Sequence, residues 1–404
     1  MEMEDKKKGL LGGIQILDLA DEKASFCSKL LADLGARVIK IEKPGGDPSR
    51  GIGPFLEGTP HPEKSVFFYC NNTNKLGITL DLEHDEGKEI FFKLLKKTDT
   101  VIETFRLGYL EEIGLGFDVL KRVNPKLILV SVTDFGENGP RSQYKSCDLV
   151  ASAIGGGMYV TGSPSTPPLK PFGEQSYYTA SLFAAVGILL ALRKRAHSGN
   201  GEHIDISLQE AVLSAVDHVM VRFFYEKVIA RRQGGLYWNN DFCILSCKDG
   251  RILLTLSLQW DILVEWMNSE GMAGDLKEEK YREDEYRIVH MDHIIEVLER
   301  WTKIHTTKEL FELGQLMHFP WAPIYSLEEV LNNPQLKARE FFTDVEHPEI
   351  NKSISYPGSP YKLTSSIDRW KRAPLIGEDN VQVYQKEFGL SEKELKRLFS
   401  LKVI

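Results

Sequence analysis

Basic charge, cysteine and long apolar runs are what this sequence has little of, and each shortage removes a class of function. Lysine and arginine number 50 against 58 aspartates and glutamates, for a net charge of -8. Proteins that neutralise nucleic-acid phosphates carry a cationic surface, so no nucleic-acid partner is expected. The five cysteines, Cys27, Cys70, Cys147, Cys243 and Cys247, are odd in number and widely spread, unlike the paired framework of a small secreted domain. They fit a reducing, cytoplasmic setting. Cys243 and Cys247 are not accompanied by a CxxC or a His pair, so no metal centre is expected. The longest apolar run, Ala180–Leu192, falls short of the roughly 18 residues that suggest a membrane span. It reads as a buried core helix, with no membrane partner. Met1–Lys8 is charged, lacks the apolar stretch of a signal peptide and reads as a frayed tail.

Several motifs are missing as well. No GxGxxG follows the first predicted strand and no GxxxxGKS/T occurs, so neither a nicotinamide enzyme nor a P-loop NTPase is indicated. HExxH and GxSxG are also absent.

What is present is enough apolar material, 42% of 404 residues, for a sizeable core and about two domains. The first half alternates strand and helix signals: strands at Ile14–Leu19, Arg37–Glu42, Ile78–Leu82, Thr100–Glu103 and Leu127–Thr133, helices at Ser25–Leu34, Glu86–Lys97 and Phe117–Val123. Alternation of this kind predicts an α/β class with a parallel, Rossmann-like sheet. A loop rich in Gly, Ser and Pro, Ile154–Gly173, leads into the core helix, which ends at Arg193-Lys194-Arg195 with cations on the negative end of its dipole. Composition changes near Arg231, and Lys248-Asp249-Gly250 signals a hairpin. The expected organisation is a large domain from 1–225, a smaller α+β domain at 226–325, and a return to the large domain over 326–404.

Glu174 stands where the long helix begins. Free N–H groups and the helix dipole stabilise a carboxylate there, or an anion bound beside it. Two readings are open: an ordinary helix-start acid, or a carboxylate nucleophile that attacks an acyl carbon. Gly155, Gly156 and Gly157 would let backbone N–H donors approach a developing oxyanion, and would equally serve a tight loop.

The stretch Gly13–Glu42 (GIQILDLADEKASFCSKLLADLGARVIKIE) resembles the N-terminus of the family III CoA-transferases. Further pieces fall in family order and spacing: Gly46–Arg50, Asn74-Lys75, Glu103-Thr104-Phe105-Arg106, Asn124–Ile128, Phe135–Pro140, Pro323, Asn333-Pro334-Gln335-Leu336 and Arg372–Glu378. The likeness covers essentially the whole chain.

The resemblance implies that the large domain is built from both ends of the chain around a small one, and that two ring-like subunits interlock into a homodimer or a heteromer. It implies acyl-CoA and a carboxylic acid as substrates and no permanently bound cofactor. An enzyme carboxylate attacks the acyl-CoA thioester to give a mixed anhydride, and the released CoA thiolate then makes an enzyme-CoA thioester. The acceptor acid takes over the CoA through a second anhydride. By position the family's catalytic Asp falls on Glu174. The extra methylene moves the carboxylate by roughly 1–1.5 Å, and misplacement of about 1 Å can cost on the order of 100-fold in rate.

Lys23-Ala24-Ser25 replaces the family's Ala-Gly-Pro, Leu76 stands for the usual Arg, and Leu107 for the usual Pro. The expectation is therefore a supporting subunit paired with a homologous Asp-bearing one, nearest to the heteromeric benzylsuccinate CoA-transferases, with succinyl-CoA as donor and an aromatic succinate-type acid as acceptor. The alternatives are an active enzyme using Glu174, or a CoA-binding protein without transfer activity. An acyl-CoA racemase is disfavoured, because its acid/base His falls near Cys147-Asp148, where a thiol stands. The resemblance makes Lys40, Lys43 and Lys75 candidates to meet CoA phosphates. Thr104 and Phe105 lie where family members contact the nucleotide. Tyr159, Tyr177, Tyr178, Trp238 and Phe242 are candidate walls for an aromatic acid or, equally, core.

Overall fold

The computed structural model describes residues 9–216, 219–237, 242–256, 258–364 and 370–404; the expected tail Met1–Lys8 and Trp238 lie outside them. The chain divides into two compact units. The larger comprises Met1–Met158, Lys170–Val228 and Glu340–Ile404, the smaller Tyr159–Leu169 and Ile229–Arg339. Both ends of the chain thus contribute to the larger unit. The sequence-based boundaries at 226 and 326 differ from this division. Residues 159–169 join the smaller unit because Gly234 N–H donates to Gly162 O at 3.1 Å and Arg232 Nε to Ser163 O at 3.2 Å.

In the larger unit, β1 (Gln15–Leu19), α1 (Ser25–Asp33), β2 (Arg37–Glu42), β3 (Leu76–Thr79), α2 (Asp85–Leu95), β4 (Thr100–Glu103), α3 (Phe117–Val123) and β5 (Ile128–Thr133) follow in order. They are continued by α4 (Asp148–Ile154), α5 (Gln175–Ser198), β6 (Glu202–Ser207) and α6 (Leu208–Ser214). The six strands are parallel in the order β3-β2-β1-β4-β5-β6. Strand order reverses direction between β1 and β4, the place where open α/β sheets bind ligands beyond their carboxyl ends.

Both faces of the sheet are covered, which is why the strands are buried almost throughout. On one face Ile78, Val101 and Leu129 meet α2 and the C-terminal segment. On the other, Ile16, Ile102 and Val130 meet α1, α5 and α6 through small side chains such as Ala180, Ala184 and Ala211. By length and composition α5 is apolar enough to cross a membrane; its buried stripe of Tyr177, Ala180, Ala184, Ile188 and Ala191 packs into this layer instead. The C-terminal segment is pinned by Tyr384, whose hydroxyl donates to Thr79 O at 2.7 Å, and by Pro374, whose carbonyl accepts from Arg50 Nη2 at 2.9 Å.

The smaller unit carries an antiparallel sheet ordered β10-β9-β8-β7, from β7 (Leu236–Tyr237), β8 (Phe242–Ser246), β9 (Arg251–Thr255) and β10 (Ala322–Pro323). The hairpin at Lys248-Asp249-Gly250 is where its residues predict it. Trp266, Trp301 and Trp321 form its centre, with Trp266 stacked on Trp321 at 5.8 Å and edge-on to Trp301 at 4.9 Å. Gly314 makes room for them, since a Cβ there would lie 2.8 Å from the Trp321 ring.

Candidate active site

The start of α5 is held by a residue from another helix. Glu174 is the N-cap residue (φ -101°, ψ 63°) and its side chain makes no capping bond. Asp148, at the start of α4 and buried, takes that place. Its Oδ1 accepts from Ser176 N–H at 3.0 Å and from the Ser176 hydroxyl, while its own N–H donates to the Tyr177 hydroxyl at 3.0 Å. Lys170 Nζ then bridges Asp148 Oδ2 and Gly173 O, fixing the loop just before Glu174. One of the helix-start N–H groups expected to stabilise Glu174, that of Ser176, is thus engaged by a competing carboxylate.

Glu174 is left exposed to opposing influences. Its Oε2 is buried and has no hydrogen-bond partner among the described residues. Burial, and then the Asp148 charge, push its carboxyl above the ordinary carboxylate range, and Lys170 opposes them. Burial and the like charge each work against the ionised form that a nucleophile needs.

The glycine triplet offers the site no donor from its first two members. Gly155 caps α4 with its N–H on Ala151 O at 2.9 Å, and Gly156 N–H reaches Ala153 O at 3.3 Å. Gly155 is required by close packing, because a Cβ would stand 2.5 Å from Val212 on α6, and Gly156 by its φ of +86°. The expected oxyanion loop is corrected at Gly155 and Gly156 to a helix end and turn.

Two of the three expected phosphate lysines are corrected as well. Lys75 is fully buried, donating to Asp18 Oδ2 at 2.8 Å, Asn72 Oδ1 at 2.8 Å and Ser25 O at 2.9 Å. Burial brings its ammonium down to about 8 despite Asp18. Lys40 is equally buried, on Asp47 Oδ2 at 2.9 Å and Ala20 O. These two tie β2 and the carboxyl end of β1 to the amino end of α1. Lys43 is exposed but paired to Glu83 at 2.8 Å, and Arg106 is paired to Glu112. Thr104 Oγ1 accepts from Asp21 N–H at 2.9 Å, and the Phe105 ring rests on Tyr109 at 4.7 Å.

Near Thr104 the loop after β1 adds Lys23, whose Nζ lies 3.9 Å from Asp21 and 3.7 Å from Asp134. Of the aromatic candidates, Tyr177 is buried on Asp148 and belongs to the core, while Tyr178 is half-buried, edge-on to Phe26 at 4.7 Å. Tyr159 and Phe242 belong to the smaller unit.

Sequence reasoning did not anticipate a second cluster on β4, β5 and β6. Glu103 is buried, its Oε2 accepting from Phe105 N–H at 2.7 Å. The Ser131 hydroxyl meets His203 Nε2 at 3.0 Å, and the same nitrogen lies 3.2 Å from Glu137 Oε1. Burial pushes Glu103 up to about 7, with Ser131 and the Phe105 N–H opposing and the Glu137 charge reinforcing. Folded Glu103 therefore holds a proton that the unfolded chain, at an ordinary 4.5, has lost. This contribution stabilises at low pH and is lost as pH rises through 7, over a range of about 3 kcal/mol. Glu103→Gln should abolish that fall, so urea unfolding should find the variant more stable than wild type at pH 8 but not at pH 4.5. Among the described residues no group of three or more His, Cys, Asp or Glu is placed to hold a metal ion.

The sequence profile of CoA-transferase family III matches residues 11–380. The chain is 32% identical over 381 residues to subunit BbsE of the succinyl-CoA:(R)-benzylsuccinate CoA-transferase of Thauera aromatica, covering 91% of this chain and 92% of that one. It is 30% identical over 417 residues to the formyl-CoA:oxalate CoA-transferase of Streptomyces coelicolor, covering 98% and 99%. The beta subunit of the succinyl-CoA–L-malate CoA-transferase of Chloroflexus aurantiacus is 29% identical over 403 residues, covering 98% of each chain. Among solved structures, a CAIB/BAIF family protein from Brucella suis superposes with a TM-score of 0.84 at 27% identity, covering 94% of this chain and 99% of that one.

Proposed function

The chain belongs to CoA-transferase family III and is a CoA-transferase polypeptide, and from that premise we propose that it is the supporting subunit of a two-chain enzyme whose covalent centre is an aspartate on a homologous partner. The observation that carries this reading is the cap on α5. Asp148 engages the Ser176 N–H at the helix start, and its charge, together with burial, raises the Glu174 carboxyl above its ordinary value. A carboxylate so placed is a poor attacker of a thioester carbonyl.

The partner's aspartate would do the chemistry that the resemblance implies. Its oxygen adds to the thioester carbonyl and expels CoA thiolate, and the thiolate then attacks the aspartyl carbonyl of the mixed anhydride and releases the donor acid. The acceptor carboxylate reverses both steps with itself in place of the donor. Succinyl-CoA as donor and an aromatic succinate-type acid as acceptor are supported by the benzylsuccinate relative. A reducing cytoplasm is part of the same proposal.

A homologous partner is supported by relatives that carry alpha and beta subunits. It is supported also by α5, which exposes Leu182, Phe183, Val186, Leu189 and Leu190 along one side. Contiguous apolar surface of this kind marks a protein interface. We extend the proposal to an interlocked pair that covers this face.

Steady-state assays of the chain alone and of the reconstituted pair test the reading. The chain alone should show no turnover, and addition of the Asp-bearing homologue should restore it. Replacing the partner's aspartate by alanine should then remove about four orders of magnitude in kcat. Turnover by the isolated chain would contradict the proposal.

A further inference from the structure

The sequence contains two Asn-Gly pairs, Asn138-Gly139 and Asn200-Gly201. Asparagine is chemically labile, and most so before glycine, because a following residue without Cβ lets its backbone nitrogen swing onto the side-chain amide. The attack needs that nitrogen to lose its proton and the backbone on either side of it to turn. The fold therefore decides which pair reacts.

The two pairs are held very differently. Gly201 N–H donates to Pro125 O at 2.9 Å, and the next amide, Glu202, to Leu127 O at 3.1 Å, directly before β6. A Cβ on Gly201 would collide with the Leu127 backbone, so the entry to the strand leaves this glycine no room to turn. Asn138 and Gly139 are both exposed, in the loop after β5. Neither the Gly139 N–H nor the Asn138 side chain makes a hydrogen bond among the described residues. A Cβ on Gly139 would meet nothing within 4 Å. The nearest ties are Glu137 N–H on Asp205 Oδ2 at 2.9 Å and Ser142 N–H on Gly139 O at 3.3 Å, and neither engages the attacking nitrogen.

We infer that Asn138 is a site of spontaneous covalent modification, converting to aspartate and isoaspartate in the folded chain while Asn200 persists. Gly139 N gives its proton to water and forms a bond to Asn138 Cγ. The Cγ–Nδ2 bond breaks and ammonia leaves with a proton, closing a succinimide ring. Water then opens either ring carbonyl. One opening leaves aspartate; the other leaves isoaspartate, in which the main chain runs through Cβ and Cγ. Each product places a carboxylate one residue from Glu137, which is bonded to Asp205 and lies 3.2 Å from His203. The inference is independent of the proposed role of Glu174, and stands or falls without it.

The test is incubation of the full folded chain at 37 °C, at pH 7 and pH 8, followed by peptide mass spectrometry and isoaspartate detection. Asn138 should exchange its amide NH2 for OH, about tenfold faster at the higher pH, because the ionised fraction of an N–H far below its pKa rises tenfold per unit. Asn200 should react at least about 100-fold more slowly, since its glycine is released only when the chain opens. In urea the two pairs should convert at comparable rates, and Asn138→Gln should remove the reaction at that position from the folded chain. An intact Asn138, equal conversion of both pairs in the folded chain, or an Asn200 that stays intact in urea as well would each overturn the inference.

Discussion

Replacing Lys75 by methionine should destabilise the chain by about 3–5 kcal/mol, the cost of leaving a buried charge without its partner. The side chain is fully buried and satisfies Asp18, Asn72 and the Ser25 carbonyl at once. In wild type the ammoniums of Lys75 and Lys40 outweigh burial and hold Asp18 below the ordinary carboxylate value; in the variant only Lys40 and the Ser28 hydroxyl still support its ionised form against burial. Lys75 is the more adaptable member, since burial has already brought it to about 8. Asp18→Asn should therefore cost less than Lys75→Met, because an unpaired Lys75 can shed its proton. Urea unfolding at pH 7 checks the order; a larger loss in Asp18→Asn would show that the pair is not organised this way. Against a total stability of about 5–15 kcal/mol, the Lys75→Met loss is large enough to empty part of the native population at 37 °C.

The second large effect is expected at Asp148. Alanine there removes the acceptor for Ser176 N–H, the partner of Lys170 and the brace on Tyr177. Loss of a helix cap costs about 0.5–2 kcal/mol, and an orphaned buried donor about 1–3 kcal/mol, so a total near 3 kcal/mol is expected. Lys170 is partly exposed and regains water, which keeps the figure from rising further. Hydrogen exchange should quicken at the amides of Ser176, Tyr177 and Tyr178 while those of β1 and β4 stay protected. Glu174 should also ionise more readily, since a like charge has gone and an N–H is free. Asp148→Asn, which keeps an acceptor for Ser176 but loses the charge on Lys170, should fall between. Unaltered exchange at these three amides in Asp148→Ala would refute the cap.

Much of the larger unit was legible because hydrophobic runs and turn residues agree with the fold. Strands β1, β2, β4 and β5 and the helices α1 and α3 lie within a residue or so of their sequence-based bounds. β3 was placed too late, over Ile78–Leu82, because Leu80 and Leu82 continue its alternation. They leave the sheet instead, with Leu80 N–H on Glu42 O and the next amide, Asp81, on Val403 O. Only the returning C-terminus explains that, and no local pattern contains it.

The site was less legible for the same reason. In a parallel sheet both strand faces are buried, so the alternation of Val38, Lys40 and Glu42 with Ile39 and Ile41 gives no sign that Lys40 points inward. Lys75 follows a helix and precedes β3, where an exposed lysine would read identically. Glu174 was found from the helix start and the family spacing. Its controlling neighbour Asp148 is remote in sequence and was noticed only beside Cys147. Lys170, four positions before Glu174 in a proline-rich loop, is the local sign of the ion pair that holds Asp148.

The central claim is that the covalent intermediate forms on a partner's aspartate and not on Glu174. It is tested most directly by intact-protein mass spectrometry after incubation with succinyl-CoA and trapping with hydroxylamine or borohydride, on the chain alone and on the reconstituted pair. The account predicts no mass change on this chain in either state, and a modification on the homologous subunit that maps to its aspartate. A modification mapped to Glu174 would contradict it and make this chain a CoA-transferase in its own right.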